Sequence, residues 1–525
     1  MTHPPARDAQ ERDRIPAHLF FAILATGVFF GAIAYFVNPY FFQFYGDANS
    51  RIVQTRMMLD SLSPGLHWIG TVWLPLPELL FLPFALIDTF FFTGLAGFIV
   101  CMPLLGWSAV LLYRLLLRVS GDRDIAGLGA LFFGLNPNTL YVSMTTMTET
   151  ATLFFFVAAV WNWMRWLERR LEPDAWKQLA LGCLSAAAAT LCRYETWIFT
   201  AVSVAGLGVF IVTMRVPFRR KAALAGIAAL SFLGIALWLI WNQYRFGDMM
   251  YFNHAQYYSA AWQAKHRDVR ASYYLQVWSS LGIYAITMLA IYGPVFLVIS
   301  MFGIRQLVKR LPAGETIFLA VALLVMPLFT LFSLYIGVAE MTQWWNSRYV
   351  LLLAPFIAVT VALAFAHWKK TARSPRRLRR VMIAAILVTI GYQMTLQKGM
   401  VVTVADAAGG FYFLPTPYAT ETGEELGRLW RGGTILSAAG SGQTHRVIQS
   451  SRVGTRNFVI AIDIDRHLFD IPTVAKEFAW VIVGLQPGDD GAEIARFLAA
   501  HADELEKTHR RVFQNKYYIA FQRIR

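Results

Sequence analysis

Ionisable side chains at the ends of long apolar segments are the residues of this sequence best suited to chemistry. A carboxylate there can act as a general base, a guanidinium group can bind phosphate through its forked donors, and an imidazole can move protons near neutral pH. Charge at the bilayer centre costs several kcal/mol, so catalytic groups belong at the ends of spans, near water. The candidate site residues are Asp47, Arg51, Glu149, Arg193, Glu195, His254 and Arg348.

Composition identifies the apolar segments as membrane spans. The chain has 525 residues, of which 57% are hydrophobic and only 15% are charged, a balance too apolar for an ordinary soluble domain. We expect an α-helical polytopic membrane protein with about eleven transmembrane helices. The segments run over residues 18–38, 92–117, 124–143, 149–166, 178–192, 196–214, 222–242, 278–303, 315–338, 350–367 and 381–399.

The distribution of Lys and Arg predicts the orientation of these spans. Together with the N-terminal tail, alternate connections hold roughly two dozen Lys and Arg, whereas the connections on the opposite side hold about eight, and basic loops face the cytoplasm. The net charge of +15 is therefore explained by topology, and no nucleic acid partner is expected. The pattern predicts a multi-pass protein of the plasma (inner) membrane, with a cytoplasmic N-terminus and all the candidate residues on the external side.

Changes in composition along the chain divide it into three parts. We predict a cytoplasmic tail over 1–17, a transmembrane domain over 18–400 and an external domain over 401–525. Within 39–91, prolines interrupt a stretch too apolar for a solvated loop, which predicts helices lying in the membrane interface. After residue 400, charges become frequent and helical patterns alternate with strand-like runs, so the external domain is predicted to be α/β. The strand-like runs lie near 434–438, 457–463, 479–484 and 510–523.

The three residues with the clearest chemical role also have structural alternatives. Asp47 can be a general base that removes a proton from an acceptor hydroxyl, or it can cap an interfacial helix. Arg193 and Arg348 can bind an anionic phosphate, or they can extend toward lipid head groups. Position in the sequence does not separate these explanations.

The remaining candidates have equally ordinary explanations. Glu149 can complement the dipole of a helix capped by Thr148, and Glu195 can form a structural salt bridge. His254 can be a loop residue satisfied by its neighbours. The external loops contain no spacing of His, Cys or Asp typical of a metal site, so no cofactor is expected, and a divalent metal is not indicated.

Several short motifs, taken in order, resemble the polytopic glycosyltransferases that have the GT-C fold. This group contains the protein O-mannosyltransferases and the lipid A aminoarabinose transferases, and the resemblance covers residues 15–400. The motifs are Gly46-Asp47-Ala48, Trp73-Leu74-Pro75-Leu76-Pro77, Asn136-Pro137 ahead of Thr148-Glu149-Thr150, Arg193-Tyr194-Glu195 and Asn346-Ser347-Arg348-Tyr349.

The resemblance implies transfer of a sugar from a polyprenyl-phosphate donor to a lipid, glycan or protein acceptor outside the membrane. On that basis Asp47 is the general base of an inverting reaction, and Arg193 or Arg348 stabilises the departing phosphate. Glu149 and Glu195 would orient the sugar or the arginines. Many relatives carry a second acidic residue where this chain has Ala48, which leaves metal use and the acceptor class open.

Two other functions would require a similar combination of membrane spans and ionisable residues. A secondary transporter would show paired half-repeats with broken helices and ionisable groups near the middle of its spans, whereas the polar groups here lie at one surface. A ligase or polymerase of glycans would also take a lipid-linked donor outside the membrane, but that donor would be linked through pyrophosphate.

Overall fold

The computed structural model describes a chain that is mostly helical, with one small sheet near its C-terminus. Contacts divide the chain into two compact units. The helical unit comprises Met1–Ala34, Thr71–Pro77 and Val100–Asp406, and the mixed unit comprises Tyr35–Gly70, Glu78–Ile99 and Ala407–Arg525. The residues described are 16–69, 72–255, 274–310, 312–342, 346–371, 374–395, 400–439, 441–460, 470–485 and 492–524.

Helices account for almost all of the chain before residue 400. Of the 3-10 segments in this part, Phe41–Gln43 and Leu66–Trp68 lie in connections, Leu230–Phe232 joins two consecutive helices and Ser347–Leu353 leads directly into another. The helices are α1 (Ala17–Val37), α2 (Gly46–Met57), α3 (Leu76–Ala85), α4 (Asp88–Thr93), α5 (Leu95–Ser120), α6 (Arg123–Gly134), α7 (Pro137–Val142), α8 (Glu149–Arg169), α9 (Trp176–Thr190), α10 (Glu195–Thr213), α11 (Phe218–Ala229), α12 (Leu233–Phe246), α13 (Tyr251–His254), α14 (Val277–Arg310), α15 (Ala313–Tyr335), α16 (Ala354–Thr371) and α17 (Pro375–Thr395).

Seven helical stretches within the described residues are long and apolar enough to cross a bilayer. The chain is therefore a multi-pass membrane protein, as predicted, although the predicted count of about eleven spans is not confirmed. The other predicted spans are helical as well, but α9 has 15 residues and the span predicted over 124–143 is broken. The seven stretches are Ala17–Val37, Leu95–Ser120, Glu195–Thr213, Phe218–Phe246, Val277–Lys309, Ala313–Tyr335 and Ser347–Thr371.

The break between α6 and α7 has a local cause. Pro137 cannot donate to the preceding turn, so a new helix begins there. The side chain of Asn136 caps that helix, because its Oδ1 accepts hydrogen bonds from the backbone N–H groups of Asn138 (3.0 Å) and Thr139 (3.4 Å). One predicted span is thus two short helices.

The stretch Ser347–Thr371 is the most enclosed span of the helical unit, with 94% of its apolar window buried. It packs closely against α14. A Cβ atom on Gly303 of α14 would lie 1.8 Å from the carbonyl oxygen of Thr360, so only glycine permits this approach. The hydroxyls of Ser300 and Thr360 are also hydrogen-bonded, at 2.6 Å. Small residues and hydroxyl pairs of this kind are the usual means of packing helices in a bilayer.

A five-stranded sheet forms the centre of the C-terminal part of the mixed unit. Its strand order is β2-β1-β3-β5-β4, with β2, β1 and β3 parallel and β5 and β4 antiparallel. All five residues of β3 are buried, as expected for a strand covered on both faces. The predicted α/β character is confirmed. The elements are α18 (Val402–Tyr412), α19 (Thr416–Leu429), β1 (Ile435–Ala438), α20 (Ser441–Ser451), β2 (Phe458–Ile460), α21 (Ile471–Glu477), β3 (Trp480–Gly484), α22 (Ala492–Ala500), α23 (Ala502–Leu505), β4 (His509–Gln514) and β5 (Tyr518–Arg523).

The first long connection of the chain packs against C-terminal helices within the mixed unit. Arg446 of α20 donates to the backbone oxygen of Gln43 at 2.5 Å and to its Oε1 at 3.2 Å. Gln449, one turn further along, donates to the backbone oxygen of Phe91 at 2.8 Å. By contacts, the first connection therefore belongs with the C-terminal residues, a grouping that the sequence did not indicate.

Candidate functional site

Four of the seven candidate residues lie together in the helical unit. Glu149 is the first residue of α8, and Glu195 is the first residue of α10. Arg193 stands in the turn between α9 and α10, and Arg348 lies near the start of the 3-10 segment Ser347–Leu353 that leads into α16. Ends of three helical elements thus converge on one group of charges, which we call the Glu149 cluster.

Glu149 is the centre of the cluster. Its Oε1 accepts from Nη1 of Arg193 at 2.7 Å and from Nε of Arg348 at 3.1 Å. The Glu149 side chain is 1% exposed, and the side chains of Arg193 and Arg348 are 13% and 8% exposed. Buried charges of this kind are stable only when they are paired, so each partner depends on the others.

Arg193 is held by four hydrogen bonds. Its Nη2 and Nε donate to the two carboxylate oxygens of Glu195, at 2.6 Å and 3.3 Å, in a bidentate pair. Its Nη1 donates to Glu149 and also to the hydroxyl of Thr148, at 3.3 Å. Thr148 stands at the N-cap position of α8, as the structural alternative for Glu149 assumed, but its side chain makes no capping hydrogen bond there and its hydroxyl accepts from the arginine instead. Most donors of Arg193 are therefore used to build the cluster.

An aromatic ring lies beside both arginines. The guanidinium carbons of Arg193 and Arg348 are 5.1 Å and 5.4 Å from the centroid of the Tyr349 ring. At these distances the ring face attracts both cations. Tyr349 thus helps to hold two like charges near each other, a role that its place in a short motif did not reveal.

Asp406, which sequence analysis did not single out, holds the segment that carries Arg348. Its Oδ2 accepts from the backbone N–H and from the hydroxyl of Ser347, both at 3.1 Å. Asp406 is 3% exposed, and burial raises the pKa of its carboxyl to about 6, with Arg348 and the bonds from Ser347 opposing that rise. An acidic residue in the apolar run Val-Ala-Asp-Ala-Ala was the available signal.

The connection that follows α12 also reaches this region through an aromatic contact. Tyr194, next to Arg193, donates from its hydroxyl to the backbone oxygen of Val72 at 2.8 Å. Its ring stacks on Phe252, with centroids 5.0 Å apart. His254, on the same short helix α13, pairs with Asp248 at 2.8 Å. Tyr194 therefore fixes two connections, and His254 belongs to one of them.

The structure places Asp47 and Arg51 in the mixed unit, on α2. Asp47 is exposed and is the second residue of α2, whose N-cap residue is Tyr45. A carboxylate in the first turn interacts favourably with the helix dipole. Arg51, one turn later, is buried and pairs with the fully buried Glu78 at 3.1 Å. The seven candidates are thus divided between the units, with Glu149, Arg193, Glu195 and Arg348 brought together.

The Glu149 cluster can bind an anion through guanidinium groups that are already oriented. Forked donors recognise phosphate oxygens well, and donors fixed in advance stabilise charge that develops on a leaving group. Within the described ranges, no group of three or more His, Cys, Asp and Glu side chains is placed to hold a metal ion.

Comparison with solved structures gives the fold. ArnT from Cupriavidus metallidurans bound to undecaprenyl phosphate matches with a TM-score of 0.55 and 12% identity, over 95% of this chain and 98% of that chain. Its apo state matches with a TM-score of 0.53, 12% identity and coverage of 95% and 97%. The archaeal oligosaccharyltransferase AglB from Archaeoglobus fulgidus, in complex with an inhibitory peptide and a dolichol-phosphate, gives 0.49 and 11%, over 90% and 70%.

Sequence comparisons find no counterpart, since no family model and no curated protein matches the chain. The likeness to ArnT extends over nearly the whole of both chains. The chain therefore has the GT-C fold, as its motifs predicted.

Proposed function

We propose that the chain is a membrane glycosyltransferase that transfers a sugar from a polyprenyl-phosphate donor to a lipid, glycan or protein acceptor on the external side. The observation that carries the proposal is the Glu149 cluster, in which the buried Arg348 and the largely buried Arg193 share one carboxylate on a GT-C scaffold. The ArnT structure with the same fold is bound to undecaprenyl phosphate, which supports a polyprenyl-phosphate donor.

In the proposed reaction, the acceptor supplies a hydroxyl or another nucleophile with one proton to lose. Asp47 takes that proton while the acceptor atom attacks the anomeric carbon of the sugar. The bond between that carbon and the phosphate oxygen breaks with inversion, and the polyprenyl phosphate leaves with the electron pair. Support for Asp47 as the base comes from its exposed, first-turn position on α2 and from its place in the motif Gly46-Asp47-Ala48.

Arg348 and Arg193 have different roles in this proposal. Arg348 binds the departing phosphate, whose negative charge grows as the glycosidic bond breaks. Arg193 is a positioning residue, because its four hydrogen bonds commit it to Glu195, Glu149 and Thr148. Glu149 orients both guanidinium groups, and Glu195 orients Arg193.

Asp406 is a second positioning residue. Because it accepts from the backbone and the hydroxyl of Ser347, it fixes the start of the segment that presents Arg348. Asn346, the residue before Ser347, has a left-handed backbone with φ of 55° and donates from its side chain to the backbone oxygen of Glu340 at 2.8 Å. Both sides of the turn are therefore anchored.

The function is tested with purified protein in proteoliposomes and radiolabelled donors. Consumption of a polyprenyl monophosphate sugar, together with membrane extract as the source of acceptor, is expected for the wild type. A preference for pyrophosphate-linked oligosaccharides would identify a ligase or polymerase instead. Solute uptake into the same vesicles without donor consumption would identify a transporter.

The base is tested by Asp47→Asn, which we expect to lower the transfer rate by about two to four powers of ten. Asp124→Asn is the matched control, because Asp124 is also exposed and is also the second residue of its helix, α6. Mass spectrometry of the glycosylated product in cells carrying each variant gives an independent measure. Full turnover in a normally inserted Asp47→Asn protein would rule out Asp47 as the base.

A further inference from the structure

A cavity of about 190 Å³ lies in the mixed unit, among residues that the proposed reaction does not use. Its lining includes Tyr35 from the last turn of α1, Phe92 from α4 and Glu424 from α19. Gln449 of α20 and Arg452, which follows α20, complete the polar side. A single water molecule needs only ~10–15 Å³ of such space, so this cavity has room for a small organic group.

The basic side of the cavity is formed by Arg452. Its backbone φ is 55°, a left-handed conformation that normally favours glycine after the end of a helix. Strained backbone that persists at a non-glycine residue is often connected with function. Within the part of the chain that the structure describes, the exposed guanidinium group makes no hydrogen bond or ion pair. Arg452 can therefore offer a full set of donors to a ligand.

The acidic side of the cavity is formed by Glu424. Its Oε1 accepts a hydrogen bond from the hydroxyl of Tyr40, whose pKa is raised by burial and by this carboxylate, so Tyr40 remains a donor. Glu424 and Arg452 line the same space, yet no salt bridge joins them among the described residues. Opposite charges that face one cavity without pairing are complementary to a ligand that carries both signs.

The cavity lies where a membrane span ends. Tyr35 is two residues before Val37, the last residue of α1, and Phe36 between them is 85% exposed. Asn38, directly after α1, donates to the hydroxyl of Tyr412, the last residue of α18, at 2.8 Å, and the next residue, Phe413, is 74% exposed. Exposed aromatic side chains at this level are typical of the boundary between lipid tails and head groups. A ligand in the cavity can therefore keep its tail in the bilayer.

We propose that this cavity binds the zwitterionic head group of a membrane lipid, with the phosphate against Arg452 and the ammonium group against Glu424. Arginine suits the phosphate because its donors form a fork, and the carboxylate of Glu424 suits a primary ammonium group. The site does not depend on the proposed sugar transfer, since neither residue belongs to the Glu149 cluster or to the motif around Asp47.

Photo-crosslinking tests this assignment in nanodiscs. The full chain carrying p-benzoylphenylalanine in place of Phe92 is placed in discs of phosphatidylethanolamine or of phosphatidylglycerol, irradiated and weighed by mass spectrometry. We expect an adduct with the mass of phosphatidylethanolamine, formed in clear excess over the phosphatidylglycerol adduct. The same photoreactive residue in place of Phe513, on the edge strand β4, is expected to give little lipid adduct.

Charge variants give the second arm of the test. Adding Arg452→Ala or Glu424→Gln to the Phe92 probe is expected to lower the adduct yield roughly tenfold, the scale expected when a charged hydrogen bond is lost. Arg456→Ala, which removes another exposed arginine of the mixed unit, is the control and leaves the yield unchanged. Equal yields in the two lipids, or yields unaffected by both charge variants, would overturn the proposal.

Discussion

At the scale of single residues, the Glu149 cluster separates two arginines that look alike in the sequence. Arg193 makes a bidentate pair with Glu195, whereas Arg348 donates from Nε to Glu149 and places its guanidinium group beside the ring of Tyr349. Different hydrogen-bonding environments predict different consequences when the forked group is replaced by lysine.

Arg348→Lys is expected to lower kcat/KM by about a hundredfold to a thousandfold, mostly through kcat, since it loses donors aimed at the developing phosphate charge. Arg193→Lys is expected to reduce thermal stability more than Arg348→Lys does, because it breaks the bidentate pair with Glu195. Single-turnover consumption of the donor and thermal unfolding in detergent measure the two effects. Equal kinetic losses with equal stability losses would contradict the division of roles.

Asp406→Asn is expected to weaken donor binding while making the fold more stable above pH 6. The folded-state pKa of about 6 exceeds the ordinary value of 3.8, so the carboxyl group favours the fold when it is protonated. That contribution is present below pH 3.8 and is lost as pH rises through 6. Asparagine can still accept from Ser347 but has no charge to lose, so the cost at high pH disappears.

Two measurements check this prediction. The donor KM of the wild type is expected to rise as pH falls from 7 to 5, because the protonated carboxyl no longer attracts Arg348, while KM of Asp406→Asn stays high throughout. The melting temperature of the variant is expected to exceed that of the wild type at pH 8 and to approach it at pH 5. A variant with wild-type KM at pH 7 would show that Asp406 has a structural role only. Among the residues that the structure describes, Tyr141 and Arg348 are titratable groups with an electrostatic interaction with Asp406.

Sequence analysis found the members of the Glu149 cluster because charges at the ends of apolar segments are rare. It could not find their pairing, since Glu149 and Arg348 are 199 positions apart and no local pattern connects them. Asp406 was missed because it lies after the last predicted span, where acidic residues are common. The places of Asp47, Arg51 and His254 in a binding site remain predictions.

At the scale of elements, the periodicity of apolar residues predicted most helices and strands close to their observed positions. The strand-like runs predicted near 434–438 and 479–484 correspond to β1 and β3, and the run predicted over 510–523 is the antiparallel pair β4 and β5. The run predicted near 457–463 corresponds to β2 as far as Ile460, and its remaining residues lie outside the described part of the chain. The prediction of elements failed where a single residue overrode the pattern of apolar residues, as Pro137 did in the span predicted over 124–143.

Close contact between α19 and α20 gives a prediction at this scale. A Cβ atom on Gly423 would lie 2.0 Å from the hydroxyl oxygen of Ser450 and 2.6 Å from the backbone oxygen of Val447. Gly423→Ala is therefore expected to destabilise the mixed unit by about 1–3 kcal/mol through overpacking. Gly442→Ala, on α20 in open space, is the control and is expected to be neutral.

Hydrogen exchange measures this difference without requiring the whole membrane protein to unfold reversibly. Faster exchange in α19 and α20 is expected for Gly423→Ala and not for Gly442→Ala. Unchanged protection in both variants would mean that the two helices separate at little cost.

At the scale of the whole molecule, the predicted sidedness can be tested because the native cysteines are protected. Cys101, Cys183 and Cys192 are all buried, so an added cysteine reports on its own position. Asp47→Cys and Thr342→Cys, both at exposed positions, are expected to react with a membrane-impermeant maleimide from the external side. Asp124→Cys is expected to react only after the membrane is permeabilised. Labelling of positions 47 and 342 from opposite sides would refute a single external chamber.

The division into units was beyond the reach of sequence patterns. It depends on individual bonds such as that from Arg446 to Gln43, which joins residues 403 positions apart. Composition and periodicity could predict membrane spans and an α/β domain, because each has a periodic or compositional signal, while the orientation inferred from charge stays a prediction. Packing of the first connection against α20 has no such signal.

The bonds from α20 to the first connection also affect how this protein can be dissected. A truncation after residue 406 would remove the side chains that bind the backbone oxygens of Gln43 and Phe91. A fragment beginning at residue 407 would leave Arg446 without the residue that accepts its hydrogen bonds. Neither piece corresponds to a free-standing module. Engineering that exchanges the C-terminal region with a relative's must therefore exchange residues 35–70 and 78–99 along with it.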